Sequence, residues 1–275
     1  MTTYSIPVPP GAKKKRRRMM PRSWLHVIQY ATPVALIVLW WAGSSASTDV
    51  FFPPLSFILE RFQALWLFEN FVSDVLPSLG NLVVSYLLAV IIGVTLGMVL
   101  GLAPVLGAIF APVIHFWRAI PPVALVPLIV ALFGFGNETR ILAITLAALF
   151  PTLITTIDAM RSVDPLQREV ARVYHLTFTE RVFRVMLPAA LPRIFSGMQV
   201  SLVAAFIVMI ASEMLGVSTG IGALTLLAQQ TFAVADMWAG VLLLGIIGFG
   251  ANALFEFIER RALRWYYSAQ RLGTS

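Results

Sequence analysis

Cysteine is absent from all 275 residues, and charge is scarce: Asp, Glu, Lys and Arg make up 12% of the chain. Without a thiol there is no disulfide framework and no thiolate chemistry, and the redox compartment stays open. A soluble domain carries about 25% charged residues, so half that share cannot clothe a water-facing surface. Histidine is equally thin: His26, His115 and His175 stand far apart, and no His or carboxylate lies at metal-ligand spacing from His115. The phosphate loop G-x-x-x-x-G-K-[ST] is missing, as is H-E-x-x-H. These gaps exclude nucleotide binding by a Walker loop and zinc-protease chemistry. A membrane-embedded enzyme would lack the paired ionisable groups it needs.

What fills the chain instead is apolar. Hydrophobic residues reach 59% and the mean hydropathy is +0.84. Apolar runs extend to about 20 residues, the length of a helix that crosses the hydrocarbon; a barrel would show short alternating segments. The expectation is an all-α polytopic membrane protein with about six transmembrane helices, near residues 27–43, 76–102, 104–135, 140–160, 192–215 and 237–258. In the second of these, Gly93, Gly97 and Gly101 recur every fourth residue, a stripe that lets two helix backbones approach closely. The third is interrupted by Pro112, Pro121, Pro122 and Pro127. Proline frees backbone carbonyls that lipid cannot satisfy, so this span belongs inside the bundle beside a cavity. Arg118 precedes the break, either snorkelling to the interface or lining a solute path. The turn Gly134–Glu138 and the stretch 216–236 read as outer loops, the latter with a re-entrant or surface piece. An amphipathic piece from Phe57 to Phe71 lies outside the hydrocarbon.

The positive charges decide orientation. Of 20 Lys and Arg, seven lie before residue 24, six between Arg161 and Arg193, and four after residue 259. Basic residues beside apolar spans mark topology rather than a nucleic-acid surface, and place both termini in the cytoplasm. Lys13–Arg18 then forms part of a tail that touches anionic lipid. A signal peptide, with Ser44-Ser45-Ala46 as its cleavage site, is the competing reading of the N-terminal region.

The largest charged interval of the second half runs from Arg168 to Ile194. Arg168, Arg172, Arg181 and Arg184 alternate there with Ala171, Tyr174, Phe178, Val182 and Val185 at helical spacing. Leu187-Pro188 and Leu191-Pro192 are expected to close this segment and open the next span. It can lie on lipid, fold as an ordinary loop, or serve as a socket for a soluble partner. Intramembrane carboxylates of the kind ion-driven carriers use are few, with Asp158, Glu213 and Glu256 all near span ends. A stand-alone secondary transporter or channel remains the alternative to a permease driven by a partner.

Glu169-Val170-Ala171, followed by Leu187-Pro188-Ala189-Ala190-Leu191-Pro192, resembles the E-A-A-x-x-x-G … L-P loop of ABC-importer permeases. Val170 replaces an alanine, and His175 stands where the family has glycine. Histidine takes left-handed backbone angles more readily than most residues. Arg118-Ala119-Ile120-Pro121-Pro122, Ala124, Pro127-Leu128 and Phe133-Gly134-Phe135-Gly136 are similar to a run of the nitrate/sulfonate/taurine group. So are Phe51-Phe52-Pro53-Pro54-Leu55-Ser56, Arg161-Ser162-Val163-Asp164-Pro165 and Ala211-Ser212-Glu213-Met214-Leu215-Gly216.

The resemblance implies a type I ABC-importer permease fold in the cell inner membrane. It implies a basic cytoplasmic tail over 1–23, a permease domain over 24–268 with a cytoplasmic coupling loop about 161–192, and a C-terminal tail over 269–275. Separate ATPase subunits, which carry ATP and Mg, would grip the loop through Glu169, Ala171, Arg172, Tyr174, His175, Phe178, Leu187 and Pro188. This chain itself would bind no cofactor. An external solute-binding protein and a second permease copy would complete the complex. The path would be lined by Arg118, Pro121, Pro122 and Glu213, and the solute would be a small anion such as nitrate, bicarbonate, taurine or another sulfonate.

Overall fold

A computed structural model describes residues 22–215, 219–266 and 268. Lys13–Arg18 and Gly216, singled out above, lie outside the described residues. The chain divides into two compact units, Met1–Ser56 and Phe57–Ser275. The described residues contain helices and turns and no strand.

In the first unit, α1 covers Arg22–Ser44. Its apolar stretch Ala31–Ser44 is shorter than a full span. Ser44 Oγ accepts a hydrogen bond from the Leu55 N–H at 3.2 Å, tying the helix end to the following segment.

The second unit follows α2, Leu55–Phe62, through π-helical turns at Gln63–Glu69 and Phe71–Val75. Then come α3 (Leu76–Leu102), α4 (Pro104–Ala119), α5 (Pro122–Phe133) and α6 (Asn137–Arg161). After α7 (Pro165–Val173), the short α8 (Phe178–Glu180) and a π-helical turn (Arg181–Met186) lead into α9 (Leu187–Met214). Two further helices are α10 (Ile221–Gln230) and α11 (Val234–Ala262). Among the described residues, four helical stretches are long and apolar enough to cross a membrane: Phe71–Leu102, Asn137–Arg161, Phe178–Met214 and Val234–Ala262. The α4–α5 pair makes a fifth if it is counted as one span bent by 94°.

The bend is dictated locally. Pro121 and Pro122 cannot donate to a helical ladder, and the residue before a proline avoids the α region. Ile120 and Pro121 are accordingly extended, with ψ 124° at both. Trp117 stacks on Phe150 of α6 at a centroid distance of 5.5 Å, holding the end of α4 in place.

The core is built around α6, which packs against α3 on one side and α9 on the other. The glycine stripe of α3 is its seam. A Cβ at Gly97 would lie 2.6 Å from Thr156 Cβ, and one at Gly101 2.8 Å from Met160 Cβ. Gly93 meets Thr152 in the same way, so glycines four apart on α3 receive side chains four apart on α6. Leu82, Ala89, Val126, Ile144, Ala148 and Met209 fill the middle of the bundle.

Two expectations need correction. The α9 helix does not begin at Pro192 after a break: it continues without interruption from the preceding π-turn through Pro188 and Pro192. The wider turn supplies the reason. The Leu187 N–H already bonds to Val182 O, five residues back, so Pro188 enters where the ladder is out of α-register. Nor is α10 a surface piece, the second of the two readings of residues 216–236. Ile221, Gly222, Ala223, Thr225 and Ala228 are buried, against α9 and α11.

Candidate functional site

The basic bend between α6 and α9 is a folded two-helix projection. Asp164 caps α7, its carboxylate accepting from the Leu166 N–H at 2.9 Å, with Pro165 in the first helical position. The helix ends in a Schellman turn: the Leu176 N–H reaches Ala171 O at 3.1 Å and the His175 N–H reaches Arg172 O at 2.9 Å. This motif needs a left-handed residue, and His175 supplies it with φ 53°. A histidine therefore makes the left-handed turn at the position where the resemblance leads one to expect glycine.

Thr177 opens the second helix with a capping box. The Thr177 N–H donates to Glu180 Oε2 at 3.1 Å, while Thr177 Oγ1 accepts from the Glu180 N–H at 3.4 Å. Arg184 pairs with Glu180 one turn on, at 3.2 Å. The α7 helix packs on the Arg181–Met186 turn, and Ala171 and Val182 are each buried to 3% exposure.

Arginines join this projection to the bundle. Arg168 Nη2 donates to Met160 O at 2.9 Å and to Arg161 O at 2.8 Å, satisfying carbonyls at the end of α6 that the helix leaves open. Arg161 Nη2 in turn reaches Leu100 O at the end of α3, at 3.3 Å. Below the projection, Ala159, Met160, Val163, Ala190 and Ile194 form an apolar cluster between α6 and α9. The projection is thus packed and hydrogen-bonded onto the bundle at this end.

Of the residues singled out in the sequence, Glu169, Arg172, Tyr174, His175 and Phe178 share the exposed surface of this projection. Tyr174 is 76% exposed and Phe178 63%. Ala171 lies beneath them, and Leu187 and Pro188 are half-buried at the root of α9. Glu169 and Arg172 are exposed side chains on α7. Arg118, Pro121 and Pro122 sit together, exposed, at the α4–α5 bend.

Glu213 is elsewhere, 1% exposed near the far end of α9. Its carboxylate accepts hydrogen bonds from Ser78 Oγ and, at 2.9 Å, from the Gly222 N–H. Asp74 accepts from the Gly220 N–H at 2.7 Å, and the Ile221 N–H reaches Ser78 Oγ at 3.4 Å. Two carboxylates and a hydroxyl, from α9, the Phe71–Val75 turn and the start of α3, therefore cap α10 at its positive end. Sequence reading missed Asp74 and Ser78; their only trace is a polar pair four residues apart at the edge of an apolar run. On the same side of the bundle, Arg61 pairs with Asp236, Nη2 to Oδ2 at 2.8 Å, which holds the Arg61 guanidinium more firmly protonated.

Residues 89–264, more than half of the chain, match the family described as "Binding-protein-dependent transport system inner membrane component". The chain belongs to that family. The putative aliphatic sulfonates transport permease protein SsuC of Bacillus subtilis (strain 168) is 29% identical over 85% of this chain and 85% of its own length. The bicarbonate transport system permease protein CmpB of Synechococcus elongatus is also 29% identical, over 93% of this chain and 95% of its own. Among solved structures, the inward-facing MetNI methionine ABC transporter aligns with a TM-score of 0.58 at 20% identity, covering 73% of this chain and 96% of that one. That likeness is one of fold: the helical arrangement is that of an ABC-importer permease. Family membership makes the chain a multi-pass membrane permease, and the two relatives are likewise named as permease proteins.

Proposed function

We propose that the exposed face of the α7–α8 projection is the socket for a separate ATP-hydrolysing subunit. Glu169, Arg172, Tyr174, His175 and Phe178 make the contact, Ala171 sets the packing beneath them, and Leu187 and Pro188 pass the motion into α9. The observation that carries this reading is the construction of the projection. It is capped at both helix starts, closed by a Schellman turn, and continuous with a transmembrane helix, yet it exposes Tyr174 and Phe178. Apolar rings on a rigid, charged projection suit a protein partner better than a lipid surface, which would take a longer amphipathic face.

In this reading the basic end faces the cytoplasm, as the positive-inside rule requires. Residues 1–23 and 269–275 are tails on that side of a permease domain over 24–268. Two copies of the chain form the path and an external solute-binding protein delivers the cargo. The cargo is a small oxyanion, since the relatives are named for aliphatic sulfonates and for bicarbonate. Arg118, beside Pro121 and Pro122 at the bend, gives the path a positive charge, and Glu213 holds α10 at its far end.

The test is the assembled complex with a Glu169→Ala permease. Solute-stimulated ATP hydrolysis should fall, or the ATPase should no longer co-purify. Normal stimulated hydrolysis would overturn the socket. Uptake that follows an ion gradient and ignores ATP would instead favour a stand-alone carrier. Arg118→Ala should weaken uptake of an anionic solute; unchanged uptake removes Arg118 from the path.

A further inference from the structure

We propose that a second anion site, separate from the path and from the ATPase socket, lies where α3, α4, α6 and α7 meet. An open cavity of about 410 Å³ is lined there by Gly101, Pro104, Gly107 and Ala108, with Arg161 and Arg168 facing in from the other side. Its volume falls in the range of small-ligand pockets, about 300–1,000 Å³. No acidic residue lines it, and neither arginine takes part in an ion pair among the described residues.

Two guanidinium groups sharing one cavity repel each other unless something negative lies between them. Each has spent part of its donor set on carbonyls: Arg168 on Met160 and Arg161, Arg161 on Leu100. Neutral carbonyls orient the groups and leave their charge uncompensated. Arg168 also retains a buried Nε with no hydrogen-bond partner, a donor whose desolvation is costly unless an acceptor arrives. Space for the pair is built in: a Cβ at Gly107 would lie 1.9 Å from Arg161 Nη2, so any larger residue would expel that guanidinium.

Planar, multi-donor groups of this kind select oxyanions, above all phosphate and its analogues. Such a group reaches the cavity as a lipid phosphodiester or as a free anion from solution. Either would clamp the end of α6 to the α3–α4 corner, directly under α7.

The experiment uses the purified full chain in phosphatidylcholine nanodiscs. Inorganic phosphate is titrated in one arm, phosphatidylglycerol is added to the bilayer in the other, and the thermal unfolding midpoint is read with potassium chloride as the ionic-strength control. Saturable stabilisation is expected in at least one arm. A response to phosphate assigns a free anion, and a response only to phosphatidylglycerol assigns a lipid headgroup. Arg161→Gln should weaken the response about tenfold, the loss of a charge-assisted contact. Because Arg161 also braces Leu100, a second variant keeps both arginines: Ala108→Glu supplies an internal counterion and should abolish the response without lowering the basal midpoint. Stabilisation in neither arm, or equal stabilisation of wild type and both variants, would overturn the site.

Discussion

His175 shows how one backbone angle shapes the projection. A left-handed conformation costs an L-residue about 1–2 kcal/mol, and here the two hydrogen bonds of the Schellman turn offset it. Glycine would take the same angle without the steric cost, and a β-branched residue would take it at a greater one. His175→Gly should therefore keep or raise the unfolding midpoint of the purified permease, while His175→Val should lose about 1–2 kcal/mol and weaken ATPase stimulation along with it. A valine variant that unfolds with wild-type parameters would mean that the turn relaxes to another geometry. The sequence made this position legible because it departs from a pattern at one residue whose physical reason, a turn between two helices, is known. Asp74 and Ser78 had no such pattern. Their role depends on Gly220 and Ile221, more than a hundred residues away, and no local periodicity reports a partner at that distance.

At the scale of elements, the glycine stripe was readable and its receiver was not. Three glycines four apart announce a close approach, but only the structure supplies the facing Thr152, Thr156 and Met160 on α6. Gly97→Val should drive α3 and α6 apart, since even a Cβ at Gly97 would sit 2.9 Å from Leu153 O, a backbone atom that cannot turn aside. The expected loss is about 1–3 kcal/mol, read as a lower unfolding midpoint and reduced folded yield. Gly245→Ala is the control, because a Cβ there meets nothing within 4 Å; equal damage from both would refute a specific seam. The prolines of the basic bend misled for a related reason. Pro188 and Pro192 look like helix stops, yet Pro188 falls in the first turn of α9 directly after the π-turn at Arg181–Met186, and Pro192 is carried inside the helix. In the α4–α5 pair two prolines are adjacent, no π-turn precedes them, and the expected break occurs.

Across the whole molecule, the consequence is a single rod. The helix from Phe178 to Met214 has 37 residues, about 55 Å at 1.5 Å per residue, against a hydrocarbon thickness of about 30 Å. One end carries the proposed ATPase socket, and the other carries Glu213, which helps hold the start of α10. Motion imposed at the socket therefore has a stiff route to α10, a buried helix between α9 and α11. If alternating access requires α10 to move against α3, fixing those two elements should stop transport without disturbing the socket. The absence of native cysteine gives a clean background for the attempt. Ser78 Oγ and the Ile221 N–H are 3.4 Å apart, so a Ser78→Cys, Ile221→Cys pair places thiols on two neighbouring segments. Oxidation, or a short bifunctional crosslinker where the thiols do not bridge directly, should arrest solute uptake by the reconstituted complex. The ATPase subunit should stay attached, and a reducible link should release the block when reduced. Full uptake with the pair verified as linked would show that α3 and α10 travel together, and that the rod drives a different gate.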